Sequence, residues 1–337
     1  MHKELELWQF IAERLGRNES VMLLVVAESS GSSPGRQGYK MAVGADGELI
    51  GSIGGGLMEV NLVEESRELL RDAGTAGRGD AEMSRVSTQV HRKDAQNASG
   101  MICSGKQTVI FRLLPPENSS IVGTIIGALE DRRRDVLEIT PALLSVRAPE
   151  GEPTQNPKSK IQNPKSDDFV VTDTDFTFTE TLGFKNDLYI IGGGHCALAL
   201  SELMSKMDFH ISLYDDRPEL NTIEKNRFAH EIRVVNSYVD IDREILPGEH
   251  SYVVVMTLGY KSDETVIRAL INKDLKYFGV LGSNAKMSLM LRKLSKEGLP
   301  AEKLDRIRTP IGIPIHSRTP EEIAISIAAE IIAVKNA

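Results

Sequence analysis

Leu188-Tyr189-Ile190-Ile191-Gly192-Gly193-Gly194-His195-Cys196-Ala197-Leu198 is the stretch on which the reading of this chain turns. A short apolar run ends in three glycines, and a helical pattern follows at once. Read as G-x-G-x-x-A, its key positions are Gly192, Gly194 and Ala197. In such a unit the first glycine permits the tight turn and the second lets the backbone approach a phosphate. The third small residue lets the helix pack on its strand. The bare amides of the helix N-terminus then face the anion. A helix-like stretch, Leu198 to Met207, leads on to His210-Ile211-Ser212-Leu213-Tyr214-Asp215-Asp216, a second strand ending in acids. Asp215 lies 23 residues after Gly192, near the spacing at which a carboxylate bonds a ribose hydroxyl. A turn that only closes a βαβ unit is the plain alternative; strand, helix and acid in succession favour a phosphate-bearing ligand.

Beyond this unit, strands and helices keep alternating to Glu297. Tyr252-Val253-Val254-Val255-Met256 is the kind of unbroken apolar run found in parallel strands covered on both faces. The pattern predicts an α/β fold with a Rossmann-like, doubly wound parallel sheet over residues 187–337. It closes on a helix from Pro320 to about Lys335, with Thr319 as N-cap, Pro320 at the first position and Glu322 completing a capping box. Ligands of such sheets sit beyond the carboxyl ends of the strands. The Gly192 turn, Thr257 to Asp263 and Gly279 to Lys286 are expected to converge there. Gly282 and Ser283 open a helix and offer a second anion nest. Lys286 reads either as a phosphate partner or as an ordinary exposed helical lysine. His195 reads either as a site residue or as a partly buried, hydrogen-bonded histidine. Asp216-Arg217-Pro218-Glu219 reads as a cap for the next helix.

Residues 1–147 read as a mixed α/β domain. A helix over His2 to Arg17 precedes an apolar strand, Val21 to Ala27. Ser29 to Gly38 reads as a loop, and Lys40 to Val43 with Glu48 to Ile53 as a hairpin about Asp46-Gly47. Gly54-Gly55-Gly56 then opens a helix, Leu57 to Asp72, that stops at Gly74. Strands follow at Ser84 to Val90 and Gln107 to Leu114, a helix at Ser119 to Glu130, and one extended piece at Val136 to Val146. The loops Gly31 to Gly38 and Ser52 to Gly56 could cradle an anion on their amides, or be two tight turns and nothing more. Glu59 reads as a general base or as an acid favouring a helix dipole. Cys103 sits in a loop beside glycine, where a thiol can be acidified, ligate a soft metal or act as nucleophile; lone cysteines are more often buried small hydrophobes. No catalytic residue is assigned. Residues 148–186 form a polar linker and arm: Gln155-Asn156-Pro157-Lys158-Ser159 recurs as Gln162-Asn163-Pro164-Lys165-Ser166, which cannot bury a core. Phe169 to Leu182 alternates like an arm strand laid on one of the domains.

A net charge of −8 argues against a broad nucleic-acid face, and Arg132-Arg133-Arg134 sits between Asp131 and Asp135. No apolar run approaches membrane-spanning length, and Met1 to Arg14 does not read as a signal peptide. Two cysteines in different domains make no disulfide framework, which fits a cytoplasmic setting.

The chain resembles the xanthine dehydrogenase accessory protein family (XdhC/CoxI). In the first domain the resemblance rests on Gly31-Ser32-Ser33-Pro34-Gly35-Arg36-Gln37-Gly38-Tyr39-Lys40-Met41, on Gly51 to Glu59 and on Ile102-Cys103-Ser104-Gly105. In the second it rests on Ile190 to His195, Tyr214 to Glu219, Tyr277 to Lys286 and Arg308 to Ile313. It implies a maturation factor rather than a catalyst, one that binds molybdenum cofactor (molybdopterin) and assists its sulfuration and insertion into an apo molybdenum hydroxylase. A cysteine desulfurase and a second copy of the chain are the further partners it implies. Cys103 matches the family's Cys-Gly-Gly loop and would be the thiol on the molybdenum side. The sites implied for the cofactor are thus Cys103, Gly54, Gly55, Gly56, Gly192, Gly194, His195, Asp215, Gly282 and Ser283. Several positions depart from the family pattern: the loop is Cys-Ser-Gly, Leu57 stands where some members carry a second cysteine, Tyr260 where many carry histidine, and Gly35 where proline is common. A two-cysteine site is not expected. An NAD(P)-dependent oxidoreductase, or a scaffold with an inert Cys103, remain the alternatives, and NAD(P) or another nucleotide the alternative ligand.

Overall fold

In the computed structural model, which describes residues 3–76, 84–90, 105–148, 168–171 and 175–337, the chain divides into two units, Met1–Gly183 and Phe184–Ala337. The apolar run from Val21 forms the central strand of the first. In order, that unit contains α1 (Lys3–Gly16), β1 (Val21–Gly31), β2 (Lys40–Gly44), β3 (Leu49–Gly51), α2 (Gly56–Ala76), β4 (Arg85–Val90), β5 (Gly105–Leu114), α3 (Ser119–Glu130), β6 (Val136–Ile139), β7 (Leu144–Arg147), β8 (Asp168–Val171) and β9 (Phe176–Thr181). Strands β3-β2-β1-β5-β4 make one antiparallel sheet and β7-β6-β9-β8 another. Alternate residues of β1 enter separate cores. Val21, Leu23 and Val25 pack with Trp8 and Ile11 of α1 and Ile125 of α3. Met22, Leu24 and Val26 pack with Met58 and Leu62 of α2. Helices on both faces explain why this antiparallel strand is apolar without alternation; each such side chain contributes about 1.5–3 kcal/mol on burial.

Four expectations for this unit need correcting. Ser29 to Gly31 are not loop: they extend β1, pairing with Gln107, Lys106 and Gly105 of β5. Helix α2 runs through Gly74 to Ala76, since an isolated glycine costs a helix only about 1 kcal/mol. Val136 to Val146 is a hairpin of two strands, closed by the Thr140 N–H on the Leu143 carbonyl at 2.9 Å. Phe169 to Leu182 is likewise two paired strands, and their sheet joins the core containing Trp8 through Ile139 and Phe178.

The second unit contains β10 (Asp187–Ile191), α4 (His195–Met204), β11 (His210–Asp215), α5 (Asn221–Glu224), β12 (Glu231–Val234), β13 (Gly248–Val255), α6 (Tyr260–Leu270), β14 (Leu275–Val280), α7 (Asn284–Lys296), α8 (Ala301–Leu304) and α9 (Pro320–Lys335). Its five strands are all parallel, in the order β12-β11-β10-β13-β14. Leu188 and Ile190 face the core built with α4 and α9, while Tyr189 and Ile191 face the one built with α6 and α7. This is the Rossmann-like, doubly wound sheet expected. The capping box of α9 forms as expected, with Thr319 Oγ1 accepting from the Glu322 N–H and Glu322 from the Thr319 N–H, both at 3.3 Å. The winding reverses between β10 and β13, which places a crevice at their carboxyl ends.

Candidate functional site

In the second unit the Gly192 turn lies over that crevice. Gly192 has φ 108°, and a methyl there would collide with the Met256 carbonyl and come within 2.8 Å of the Thr257 nitrogen. Only glycine fits. Gly193 is held on both sides: its N–H donates to Asp215 Oδ2 at 2.6 Å, and its carbonyl accepts from Thr222 Oγ1. Gly194 is the N-cap of α4 and differs from both, because a Cβ built on it meets nothing within 4 Å. It borders open space at the head of a ten-residue helix whose first amides have no intrahelical acceptor. A helix head of this kind, with bare amides at the positive end of the dipole, is suited to an anion. His195 is exposed in the first turn, beside Glu321. The half-buried Cys196 thiol is pushed up by burial and then by Glu321, which makes it a poor nucleophile.

Asp215 is fully buried. Besides Gly193, its carboxylate accepts from the Arg217 N–H and Nε at 2.8 Å each and from Arg217 Nη2 at 2.7 Å. Those four donors fill the roughly four acceptor positions of a carboxylate. Burial pushes the Asp215 carboxyl up, but the Arg217 side chain and the two amides outweigh it and hold it below the usual carboxylate range. The expected ribose bond would therefore require Arg217 to leave.

Helices α6 and α7 also begin at this end of the sheet, on Gly259 and Ser283. Ser283 Oγ accepts from the Lys286 N–H at 3.4 Å, and a Cβ on Gly282 would meet Met287 Sδ at 2.6 Å. Lys286 is not an ordinary exposed lysine. Its Nζ lies 3.2 Å from buried Asp263, which also accepts from Thr257 Oγ1 at 2.5 Å. This Thr257–Asp263–Lys286 chain ties two of the converging segments together, and the Gly192 turn packs against Met256 and Thr257 at the start of the first of them.

In the first unit the two glycine-rich loops meet on one buried side chain. Gln107, fully buried at the head of β5, accepts from Ser33 Oγ at 2.8 Å and from the Gly35 N–H at 3.2 Å, and donates to the Ile53 carbonyl at 2.7 Å. Gly54, Gly55 and Gly56 have φ of 129°, 76° and 73°. A methyl on Gly54 would stand 2.5 Å from the Gly35 nitrogen, so the loops touch backbone to backbone. Gly105 packs as tightly, since a Cβ there would lie 2.6 Å from the Ser33 nitrogen. The amides expected to cradle an anion are already engaged: Glu59 Oε2 accepts from Ser52 Oγ at 2.7 Å and from the Ile53 and Gly55 N–H groups at 2.9 Å each. The Gly54 N–H donates instead to Ser52 Oγ at 3.2 Å, so Glu59 ties down the turn that precedes α2 through Ile53, Gly55 and Ser52. Exposed Arg36 supplies a cation on the first loop. Cys103 lies outside the described residues; β5 begins two residues later. Among the described residues, no three His, Cys, Asp or Glu side chains are grouped to hold a metal ion.

Two family descriptions match these two halves: "XdhC and CoxI family" over residues 15–78 and "XdhC Rossmann domain" over residues 188–331. The chain belongs to the XdhC family. Among curated relatives, an uncharacterized protein, YqeB of Escherichia coli K12, is 24% identical over 314 residues, covering 92% of this chain and 43% of that protein. A Bacillus subtilis protein described as a probable xanthine dehydrogenase subunit is 30% identical over 156 residues, 46% of this chain and 44% of that one. The chain thus spans less than half the length of these curated relatives. A crystal structure described as a xanthine dehydrogenase from Bacillus halodurans shares the fold, with a TM-score of 0.70 at 23% identity over 100% of this chain and 96% of that one.

Of the stretches that carry the resemblance, Gly31 to Met41 and Gly51 to Glu59 meet at Gln107, Ile190 to His195 and Tyr277 to Lys286 reach the carboxyl ends of the parallel strands, and Arg308 pairs alongside β14 at Gly279. Gly192, Gly194, His195, Gly282 and Ser283 gather at the carboxyl ends of β10 and β14. Asp215 is at the end of β11 but turned inward. Sequence reasoning missed Gln107, Arg217 and the Asp263–Lys286 pair. A lone amide opening an apolar strand, Gln107-Thr108-Val109-Ile110, was the one available signal for the first.

Proposed function

We propose that this chain is a maturation factor for a molybdenum hydroxylase of the xanthine dehydrogenase type, binding molybdenum cofactor and assisting its sulfuration and insertion. The presence of both XdhC modules in one chain carries the reading. The glycine loops clamped by Gln107 supply a rigid platform, and Arg36 stands on it as a counter-charge for an anionic ligand. Cys103, two residues before Gly105, would hold the molybdenum side through its thiolate. Gly194 and the first amides of α4 would hold a phosphate, of the pterin or of a nucleotide. When bound, the group would supply a sulfur-accepting molybdenum centre; the chain's part is to hold it, shield it and release it. The apo-hydroxylase is the partner in this reading, with a cysteine desulfurase as sulfur source, a homodimer as the acting form and the cytoplasm as the setting.

The test is reconstitution. Apo-hydroxylase is incubated with molybdenum cofactor, with or without this protein, and substrate oxidation is followed. Activation should be faster with the wild type than with Cys103→Ala. Equal activation with and without the protein would remove the reading.

A further inference from the structure

Asp215 stands where Rossmann domains recognise a ribose, at the end of the second strand and 23 residues beyond Gly192. A carboxylate there normally accepts from a free 2′-hydroxyl. Here its acceptor positions are consumed by Gly193 and Arg217, and the residue has no exposed surface. Arg217 keeps 32% of its side chain exposed. Two of its five guanidinium N–H groups are fixed on Asp215. The remaining three carry no partner among the described residues. Arg217 Nη2 and the Gly193 N–H share one Asp215 oxygen, at 2.7 and 2.6 Å, so the guanidinium stands beside the glycine turn. The pair is neutral as a whole, but its acid is buried and its base faces outward. The neighbouring carboxylate, Asp216, is exposed and lies within 3.4 Å of the Tyr238 hydroxyl.

We infer that Arg217 is the specificity-determining residue of this unit, and that its ligand is a ribonucleotide carrying a second phosphate on the ribose. The first phosphate sits at Gly194 and the amides of α4; the second meets the free edge of Arg217. A guanidinium locked by a buried acid is already oriented for a phosphate, so little side-chain freedom is lost on binding. A ligand with a free ribose diol finds no acceptor position left on Asp215. The inference rests on reading the Gly192 turn as a phosphate site, and is independent of Cys103.

Titration calorimetry of the full chain with 5′-AMP, 2′,5′-ADP, NAD+ and NADP+ tests it. The 2′-phosphorylated member of each pair should bind about 10- to 100-fold tighter. That ratio should shrink as salt rises, because Arg217 is partly exposed. Arg217→Leu should bring the ratio to near one. Because that variant strands a buried acid, Asp215→Asn/Arg217→Leu is measured beside it, with circular dichroism to establish folding; it too should lose the discrimination. Equal affinity for both members, or preference for the free diol, overturns the role of Arg217. No binding of any of the four overturns the phosphate site and the inference together. Pterin retention measured separately reports on the maturation reading, so the two failures are told apart.

Discussion

Gln107→Ala should unfasten the first unit's platform. The amide makes three bonds, to Ser33, Gly35 and Ile53, inside a fully buried environment. Its removal strands the Gly35 N–H and the Ile53 carbonyl, each worth about 1–3 kcal/mol when left unsatisfied. Ser33 can rotate its hydroxyl, and the vacated volume adds a packing loss. Together these give a loss of about 3–5 kcal/mol. Trp8, the sole tryptophan, is fully buried in this unit and reports its unfolding by fluorescence. With a urea slope of about 2–3 kcal/mol per molar, the midpoint should fall by about 1–2 M. Arg17→Ala, whose ion pair with Glu13 is solvent-exposed, should move it by no more than about 0.5 kcal/mol. A Gln107→Ala midpoint as little changed as that of Arg17→Ala would mean that the two glycine loops are held by something other than this side chain.

Three further outcomes follow from the same geometry. Gly192→Ala, strained at φ 108° and blocked by Met256, should cost the second unit about 3 kcal/mol or more, while Gly194→Ala should melt with the wild type yet weaken phosphate-ligand binding; both are read by thermal circular dichroism and calorimetry. Lys40→Met should destabilise the first unit by about 3–5 kcal/mol in the Trp8 assay, because buried Glu180, 2.5 Å from the ammonium, loses its countercharge. Asp215 is held below its ordinary pKa, so its stabilising share is complete above the unfolded value of about 4 and is lost as pH falls through the lower folded value. In Arg217→Leu the burial penalty is no longer offset, and the acid limb of the melting curve should move to higher pH.

Much of the fold was legible because it is written in local pattern. The βαβ unit at Gly192, the hairpin at Asp46-Gly47 and the capped helix from Pro320 depend on residues near one another in sequence. Strand β1 declared both of its buried faces in one apolar run. What stayed hidden depends on which group takes each hydrogen bond, whether its partner is near or far in sequence. Ser29 to Gly31 have loop composition, yet pairing with β5 makes them strand. Gly54 to Gly56 have the look of an empty nest, but Glu59 folds back onto it. Asp215 has the spacing of a ribose ligand, but a residue two places on takes its oxygens. In the two site motifs, hydrogen bonds within the chain take up groups that spacing alone left open. The Gly192 turn has therefore become more specific: Gly192 is steric, Gly193 is engaged internally, and Gly194 faces the open space.

Retention of pterin by the purified chain tests the central claim most directly. The protein is produced in cells that make molybdenum cofactor, isolated, and its oxidised pterin quantified by fluorescence per mole of chain, for the wild type and Cys103→Ala. Pterin should copurify with the wild type and be largely lost from Cys103→Ala while both remain folded. Equal, near-zero retention in the two proteins would contradict a cofactor-binding role for this chain.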